Sequence, residues 1–340
     1  MKAVQIVKPG ELRIIDMEKP VINETDNVLI RMTAAGICGS DVGIYHGTNA
    51  AATYPRVIGH EMVGMVDETG PGVTNVKKGD RVIVDQVMSC GHCYACRKGR
   101  GNVCGNLKVR GVHIDGGYRE YMAVPAEKCY LLPDSLPDTE AVMIEPTTIA
   151  IQSCSRAQLS EEDTMLLLGY GALGSTILKI ARLHCPNIIV ADIVDQKLEE
   201  AKKAGAKHTI NLAKEDIVKR VRELTDGYGT TVTTDAACTK DSLITAMNCT
   251  GNAGRVITMG FSLADTTVNQ FVITSKELDV RGSRLQNRKF GEAIQLIKDG
   301  KLNFHGSISH TFKLTDAQKA FDFVDTHDPG IRKIVLTFDL

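Results

Sequence analysis

The segment "LLLGYGALG" (166–174) decides the fold. An apolar run stops at Gly169, and Gly169, Gly171 and Gly174 then recur in the G-x-G-x-x-G spacing where a helix-compatible stretch opens. Such glycines alone are common in turns. Directly behind a strand and in front of a helix they form a dinucleotide-binding fingerprint. Gly169 permits the tight turn, and Gly171 lets the backbone approach a pyrophosphate. Gly174 lets helix and strand pack closely, with Ala172 and Leu173 between them at the helix N-terminus, where phosphate charge is stabilised. The second strand, "NIIVAD" (187–192), ends in Asp192, eighteen residues past Gly174. A carboxylate there can accept from both adenosine ribose hydroxyls and repels a 2′-phosphate; Ile193 rather than Arg follows it, so the pattern points to NAD over NADP. The plainer reading is that Asp192 only ends a strand and caps the next helix.

Outward from this turn, "TMLLLG" (164–169), "HTINL" (208–212), "TVTTDAA" (231–237) and "GRVITMG" (254–260) alternate with helix-compatible stretches at 195–206, 214–225 and 240–249. That alternation predicts a doubly wound parallel sheet. The first 150 residues read differently. Short β-like runs such as "KAVQIV" (2–7), "NVLIRM" (27–32), "DRVIVD" (80–85) and "REYMAVP" (119–125) are separated by turn clusters such as "KPG" and "KKGD", the texture of an antiparallel, barrel-like domain. The expected organisation is an α/β chain with a β-rich domain at 1–150 and a nucleotide domain at 151–285. A segment at 286–340, ending in the strand-like "RKIVLTF" (332–338), returns to the first domain.

At 340 residues, two domains are the default expectation. A net charge of −1 argues against nucleic acid or an anionic membrane as main partner. No apolar run approaches the ~20 residues of a membrane helix. The opening "MKAVQIVKPGELRIIDM" reads as a hairpin and lacks the apolar core of a signal peptide, so the expected location is cytoplasmic.

In that compartment ten cysteines point away from a disulfide framework. Cys129, Cys154, Cys185, Cys238 and Cys249 stand alone and read as small buried hydrophobes. Cys90, Cys93, Cys96 and Cys104 follow C-x2-C-x2-C-x7-C in "CGHCYACRKGRGNVC" (90–104), within a lobe at 88–106. Four thiolates close a tetrahedral zinc and leave no position for a substrate; an iron–sulfur cluster or a pair of disulfides are the other readings.

"GHEMVGMVDETGPGV" (59–73) resembles the signature of zinc-containing medium-chain alcohol and polyol dehydrogenases. The resemblance continues through "GICGSD" (36–41), "YPRVIGHE" (54–61), "VKKGDRV" (76–82), the cysteine cluster, "DGGYREY" (115–121), "MIEP" (143–146), "GYGALG" and "VAD" in the family's order. It is nearest to the sorbitol/threonine dehydrogenase branch, and within it to the starvation-sensing and hexonate 5-dehydrogenase type. It implies a GroES-like catalytic domain, a Rossmann domain, a small-molecule substrate, a homodimer or homotetramer, and two Zn²⁺ per subunit. It also favours zinc at the four cysteines. A catalytic zinc needs borderline-soft ligands with one position left open. Cys38 offers thiolate, His60 imidazole and Glu145, where the classical alcohol dehydrogenases have a third Cys, carboxylate. Glu61 is a rival ligand, or a group that exchanges with water.

The implied chemistry is transfer of hydride from a secondary hydroxyl of a polyol or sugar acid, such as a hexonate, to NAD⁺ by way of a zinc-bound alkoxide. Family members relay the proton through a hydroxyl two residues past the zinc Cys, which Ser40 matches, and a His five residues past it. That position is Gly43 here; His46, a water, or neither replaces it, and His46 also reads as a surface loop residue. Asp41 is expected to orient a zinc ligand. For substrate, Arg284 and Asn287 in "GSRLQNRKF" (282–290) follow the last nucleotide-domain strand, in the crevice where ligands of open α/β sheets sit. Arg284 suits hydroxyls or a carboxylate; a structural salt bridge is the plainer reading. Tyr45, Arg56, Tyr118 and Arg119 are further candidates. An L-threonine or secondary-alcohol dehydrogenase is the alternative enzyme, and a non-enzymatic regulator on the same fold the alternative of another class.

Overall fold

The run around "NVLIRM" forms the ten-residue strand Asn27–Gly36, to which the main β-sheet of the first half is anchored. One edge pairs antiparallel with Glu61–Thr69. The other is shared: Tyr121–Pro125 takes its beginning and Lys333–Thr337 its last residues. Arg81–Val84 and Cys129–Leu131 continue the sheet on one side, and Ile308–Lys313 closes the other. Alternating side chains of these strands bury Val28, Ile30, Met32, Met62, Val82, Val84, Met122 and Val124 in one cluster. Each such side chain stabilises the fold by roughly 1.5–3 kcal/mol relative to exposure. A second sheet joins Lys2–Lys8 to Glu11–Asp16 and Arg56–Val57, and a two-stranded ladder of Val87–Met88 with Lys108–Val109 carries the cysteine-rich lobe.

The computed structural model describes every residue except 262, 329 and 340. Its first compact unit comprises residues 1–146 and 290–340, and its second residues 147–289. In the second, six strands lie in the order His208–Asn211, Asn187–Asp192, Thr164–Leu168, Thr230–Asp235, Thr250–Thr258, Asp279–Gly282. All their pairings are parallel. This is the 3-2-1-4-5-6 order of a doubly wound sheet, whose direction reverses between the first and fourth strands. Leu166, Leu168, Ile189, Ala191, Ile210 and Val256 fill one core cluster with Val221, Ala246 and Met247. The stretch expected as a helix over 214–225 is helical at Ile217–Leu224, because Asp216 caps it by accepting the Lys219 amide at 3.1 Å. The helix Gln270–Lys276 carries no periodic signal in the sequence. Among the described residues no helix is long and apolar enough to cross a membrane.

Candidate active site

The second unit presents its fingerprint turn at the point where the strand order reverses. Gly169 has φ +88°, and a Cβ there would lie 2.9 Å from the Ala237 backbone; one on Gly174 would lie 2.1 Å from the Gly169 carbonyl oxygen. Both positions therefore exclude a side chain. Gly171 differs: a Cβ there would meet nothing within 4 Å. No neighbour in the protein requires glycine there, and the open space beside it belongs to a cavity of about 420 Å³. Gly171 is also the N-cap of the helix Ala172–Ala181 and makes no side-chain cap, which leaves the first-turn amides suited to an anion.

Asp192 lines the same cavity at the end of its strand. Oδ2 accepts the Tyr170 amide at 2.7 Å and Oδ1 the Val194 amide at 3.0 Å, tying the glycine turn to the strand end. Each oxygen keeps a further lone pair for a ribose hydroxyl. Lys197, on the first turn of the helix Asp195–Lys203, also lines the cavity. Sequence reasoning missed it, although a basic residue one turn beyond the strand-end carboxylate was a readable signal.

In the first unit, Cys90, Cys93, Cys96 and Cys104 place their Sγ atoms within 4.8 Å of one another. The Cys93–Cys96, Cys90–Cys104 and Cys93–Cys104 separations are 3.5, 3.4 and 3.8 Å. A tetrahedron with zinc–sulfur bonds of about 2.3 Å has edges of about 3.8 Å. Cys104 Sγ accepts the amides of Cys90 and Asn106, both at 3.3 Å. The amides of Cys96 and Gly105 bring the Cys93 thiol down to about 6, whereas burial and the neighbouring sulfurs push Cys96 up to about 11. Four thiolates this close repel one another unless a cation joins them, so the set fits a metal ion. None of the ten cysteines is disulfide-bonded. Of the five isolated ones, Cys129, Cys154, Cys185 and Cys249 are buried, while Cys238 is half-buried, a correction to its expected burial.

The second donor set is gathered by Asp41. Cys38 caps the helix Gly39–Tyr45, and Asp41 on its first turn is fully buried. The Asp41 carboxylate accepts the Cys38 amide (3.0 Å), the Gly59 amide (3.2 Å) and the Tyr118 hydroxyl (3.2 Å), and lies 3.3 Å from His60 Nδ1. That last pair is close without an aligned hydrogen bond, so Nδ1 is satisfied by charge alone. Burial opposes ionisation of Asp41, but His60 and the two amides outweigh it and hold its pKa below the ordinary value. Burial also opposes a charged His60, and Asp41 with Cys38 reverses this, holding the imidazole well above its usual range. On the other side of the ring, His60 Nε2 lies 3.3 Å from Ser40 Oγ.

The two glutamates are held differently. Both oxygens of Glu61 accept from Lys333 Nζ, at 2.6 and 2.8 Å, and the ammonium also donates to the Ile37 carbonyl at 3.2 Å. Glu145, on the first turn of the helix Ile144–Ala157, accepts from the buried Gln86 amide. Burial pushes Glu145 up to about 7; the His60 charge opposes that rise and Glu61 adds to it. Among the described residues, the four-cysteine group is the one set of three or more whose ligand atoms all lie within 4.8 Å; Cys38, His60 and Glu145 are set wider. The half-buried Cys38 thiol with the buried His60 imidazole and Glu145 carboxyl, coupled by charge, nevertheless fits a zinc ion by its donor chemistry. Lys333 and Gln86 lie far along the chain from their partners, and nothing in the local sequence signalled them.

Three expected contacts are placed elsewhere. Tyr118 is fully buried, donates to Gly36 O at 2.9 Å as well as to Asp41, and its ring fills the space a Cβ on Gly59 (φ +92°) would need, at 2.1 Å. It is a structural post, not a substrate contact. Tyr45 is half-buried, packs edge-on against Phe321 at 5.2 Å between ring centroids, and accepts from Gln318 at 3.1 Å. His46 pairs through Nε2 with Asp325 at 2.9 Å on the surface. In the second unit, Arg284 is half-buried with its guanidinium 4.9 Å from the Phe261 ring centroid, and Asn287 is half-buried.

With this geometry, comparison with known proteins is informative. Residues 24–134 match the alcohol dehydrogenase GroES-like domain, and residues 172–299 the zinc-binding dehydrogenase domain. The starvation-sensing protein RspB of Escherichia coli K12 is 41% identical over 340 residues, 99% of each chain. The L-threonine 3-dehydrogenase of Pyrococcus horikoshii is 35% identical, with 97% of each covered. A crystal structure of rspB from Escherichia coli CFT073, complexed with NADH, superposes with a TM-score of 0.93 at 40% identity, 99% of each chain covered. The chain belongs to the zinc-type medium-chain alcohol dehydrogenases, a family of zinc-binding, NAD-dependent oxidoreductases.

Proposed function

We propose that the protein oxidises a secondary hydroxyl of a polyol or sugar acid, with a hexonate such as L-gulonate or L-galactonate as the substrate class, and passes the hydride to NAD⁺. The observation that carries this reading is the group of Cys38, His60 and Glu145, flanked by Asp41, Gln86 and the Lys333–Glu61 pair. A zinc ion held there supplies Lewis acidity that makes a bound hydroxyl easier to deprotonate, and the nicotinamide supplies the hydride acceptor. Lys333 neutralises Glu61, which leaves Glu145 as the carboxylate we assign to the metal. Asp41 fixes the orientation of His60 from the Nδ1 side. Ser40 Oγ, beside His60 Nε2, takes the substrate proton and passes it to water. Asp192 receives the adenosine ribose hydroxyls, and the first-turn amides behind Gly171 the pyrophosphate.

The test is NADH formation by zinc-loaded protein across hexonates, free polyols, L-threonine and simple secondary alcohols. Turnover of hexonates or polyols is expected. Turnover of L-threonine alone would exchange the substrate for the one named for the Pyrococcus horikoshii relative and keep the chemistry. No NADH with any of them would overturn the assignment.

A further inference from the structure

In the first unit, one carboxylate, Asp115, pairs with Arg56 and attracts Arg119, which in turn repels Arg110. Arg56 donates from Nη1 to Asp115 at 2.9 Å and from Nη2 to Thr53 at 2.6 Å. Asp115 also accepts the Val57 amide at 3.2 Å. Arg110 is 8% exposed and Arg119 half-buried, and neither side chain makes a hydrogen bond or ion pair with another described residue. Nε of all three arginines is buried without an acceptor. Burial brings Arg119 down to about 10; Asp115 opposes that fall and Arg110 adds to it. Arg110 is likewise lowered by burial.

Cations held in a fold are costly unless anions balance them, so a cluster of three guanidinium groups with one carboxylate favours a further anion from outside. The arginines sit on the segments that build the metal group. Gly116, Tyr118 and Gly117 donate their amides to Val57 (2.7 Å), Ile58 (3.0 Å) and Gly59 (2.9 Å), which zips 115–118 against the stretch leading into His60. The Arg110 amide donates to the carbonyl of Gln86 at 3.0 Å, and the Gln86 side chain holds Glu145.

We propose that Arg110 and Arg119 form a subsite for an oxyanion carried by the substrate, with Arg56 and Asp115 as its wall. The planar fork of a guanidinium matches a carboxylate or phosphate bidentately. The subsite rests on the oxidation proposed above and names what the substrate carries besides its hydroxyl: the carboxylate of a sugar acid, or the phosphate of a phosphorylated polyol.

L-Gulonate and D-sorbitol differ only in a carboxylate against a CH2OH, so they isolate the anion, and D-sorbitol 6-phosphate supplies the other source. With zinc-loaded enzyme and NAD⁺, an anionic substrate is expected to have a KM about 10- to 100-fold below that of sorbitol, the effect of a charge-assisted hydrogen-bonded pair. Whichever anion shows the advantage identifies the source. Arg110→Met and Arg119→Met are expected to collapse that ratio toward one, and Arg119→Lys to restore part of it. Calorimetric binding of the same three compounds to the zinc-loaded, NADH-bound enzyme, where no turnover occurs, gives a readout independent of activity. Wild-type enzyme with no preference for either anion overturns the subsite whether or not the variants fold, as do variants that lose all three compounds equally. If nothing in the panel is oxidised but L-gulonate binds the wild type and not the arginine variants, the subsite stands and the proposed oxidation falls. If it binds neither, both fall.

Discussion

Replacing Lys333 with Met should unfold the first unit early, and its cost follows from burial. Glu61 is fully buried and Lys333 is 7% exposed, with the ammonium 2.6 and 2.8 Å from the two carboxylate oxygens. Removing the cation leaves a carboxylate with no water and no counter-charge, which costs about 3–5 kcal/mol. For a unit of this size that lowers the thermal midpoint by roughly 6–20 °C. The Lys333→Met/Glu61→Leu double variant removes both charges and should recover most of the loss, because an apolar pair of similar volume is often neutral relative to a buried ion pair. The pH dependence has a fixed sign. Burial pulls Lys333 down, but Glu61, Cys38 and Glu145 outweigh it and raise its pKa above 10.5. The raised value contributes stability that is fully present below the unfolded pKa and is lost as pH climbs through the folded one. The wild-type margin over the single variant should therefore hold at neutral pH and shrink in strong alkali. Thermal melts of zinc-saturated protein give the midpoints, and urea melts across pH, followed by near-ultraviolet signal and fitted as separate transitions for the two units, give the free energies and the coupling. A single variant that melts with the wild type at neutral pH, with no coupling in the cycle, would refute the reasoning.

Three further outcomes are expected. Cys104→Ser should reduce bound zinc from two ions per chain to one, read by metal analysis after gel filtration; retention of both would detach the four thiols from the metal. Asp163→Asn removes the carboxylate that accepts from Arg255, from Thr231 at 2.7 Å and from the Ser160 amide at 2.8 Å, and should cost about 2–4 kcal/mol. Burial works against the Asp163 charge, yet Thr231, Ser160 and Arg255 lower its pKa below 3.8, so its contribution is present above that value and lost as pH falls through the folded one. The Asn deficit should accordingly shrink in acid, and an unchanged deficit would assign the effect to shape. His46→Ala breaks an exposed ion pair and should move stability by no more than about 0.5 kcal/mol and leave the pH–rate profile unmoved, whereas a shifted profile would return His46 to the proton relay.

What was legible in the sequence shares one property: its physical cause is local. Gly169 and Gly174 collide with their own neighbourhood if given a side chain, Asp192 ends a strand read directly from "NIIVAD", and the four cysteines lie within fifteen positions. The sites that escaped reading are long-range. Lys333 lies on the last strand, 272 residues from Glu61, and Gln86 is 59 residues from Glu145. Tyr118 misled for the opposite reason. Its residue type suits substrate contact, but it is consumed by Asp41 and Gly36, partners that only the tertiary fold supplies. Arg119 was noted for its type alone; that its Nε and that of Arg110 are buried without an acceptor is a property of the packing.

The strand register explains how one buried charge can serve another across a sheet. Gly36 stands opposite Glu61 on one side and Val335 on the other, so Asn27–Gly36 separates the glutamate strand from the lysine strand. A Cβ on Gly36 would lie 1.8 Å from Glu61 Oε2, so the carboxylate occupies the space a side chain at 36 would fill, crossing the intervening strand to reach Lys333. The glycine of "GICG", the glutamate of "GHE" and the lysine of "RKIVLTF" are thus one device written in three separated places. Because a buried ion pair is weak evidence for stability by itself, its value here is positional. It ties the last strand to the one that begins immediately after His60, and it neutralises Glu61, in keeping with the proposed assignment of Glu145 to the metal.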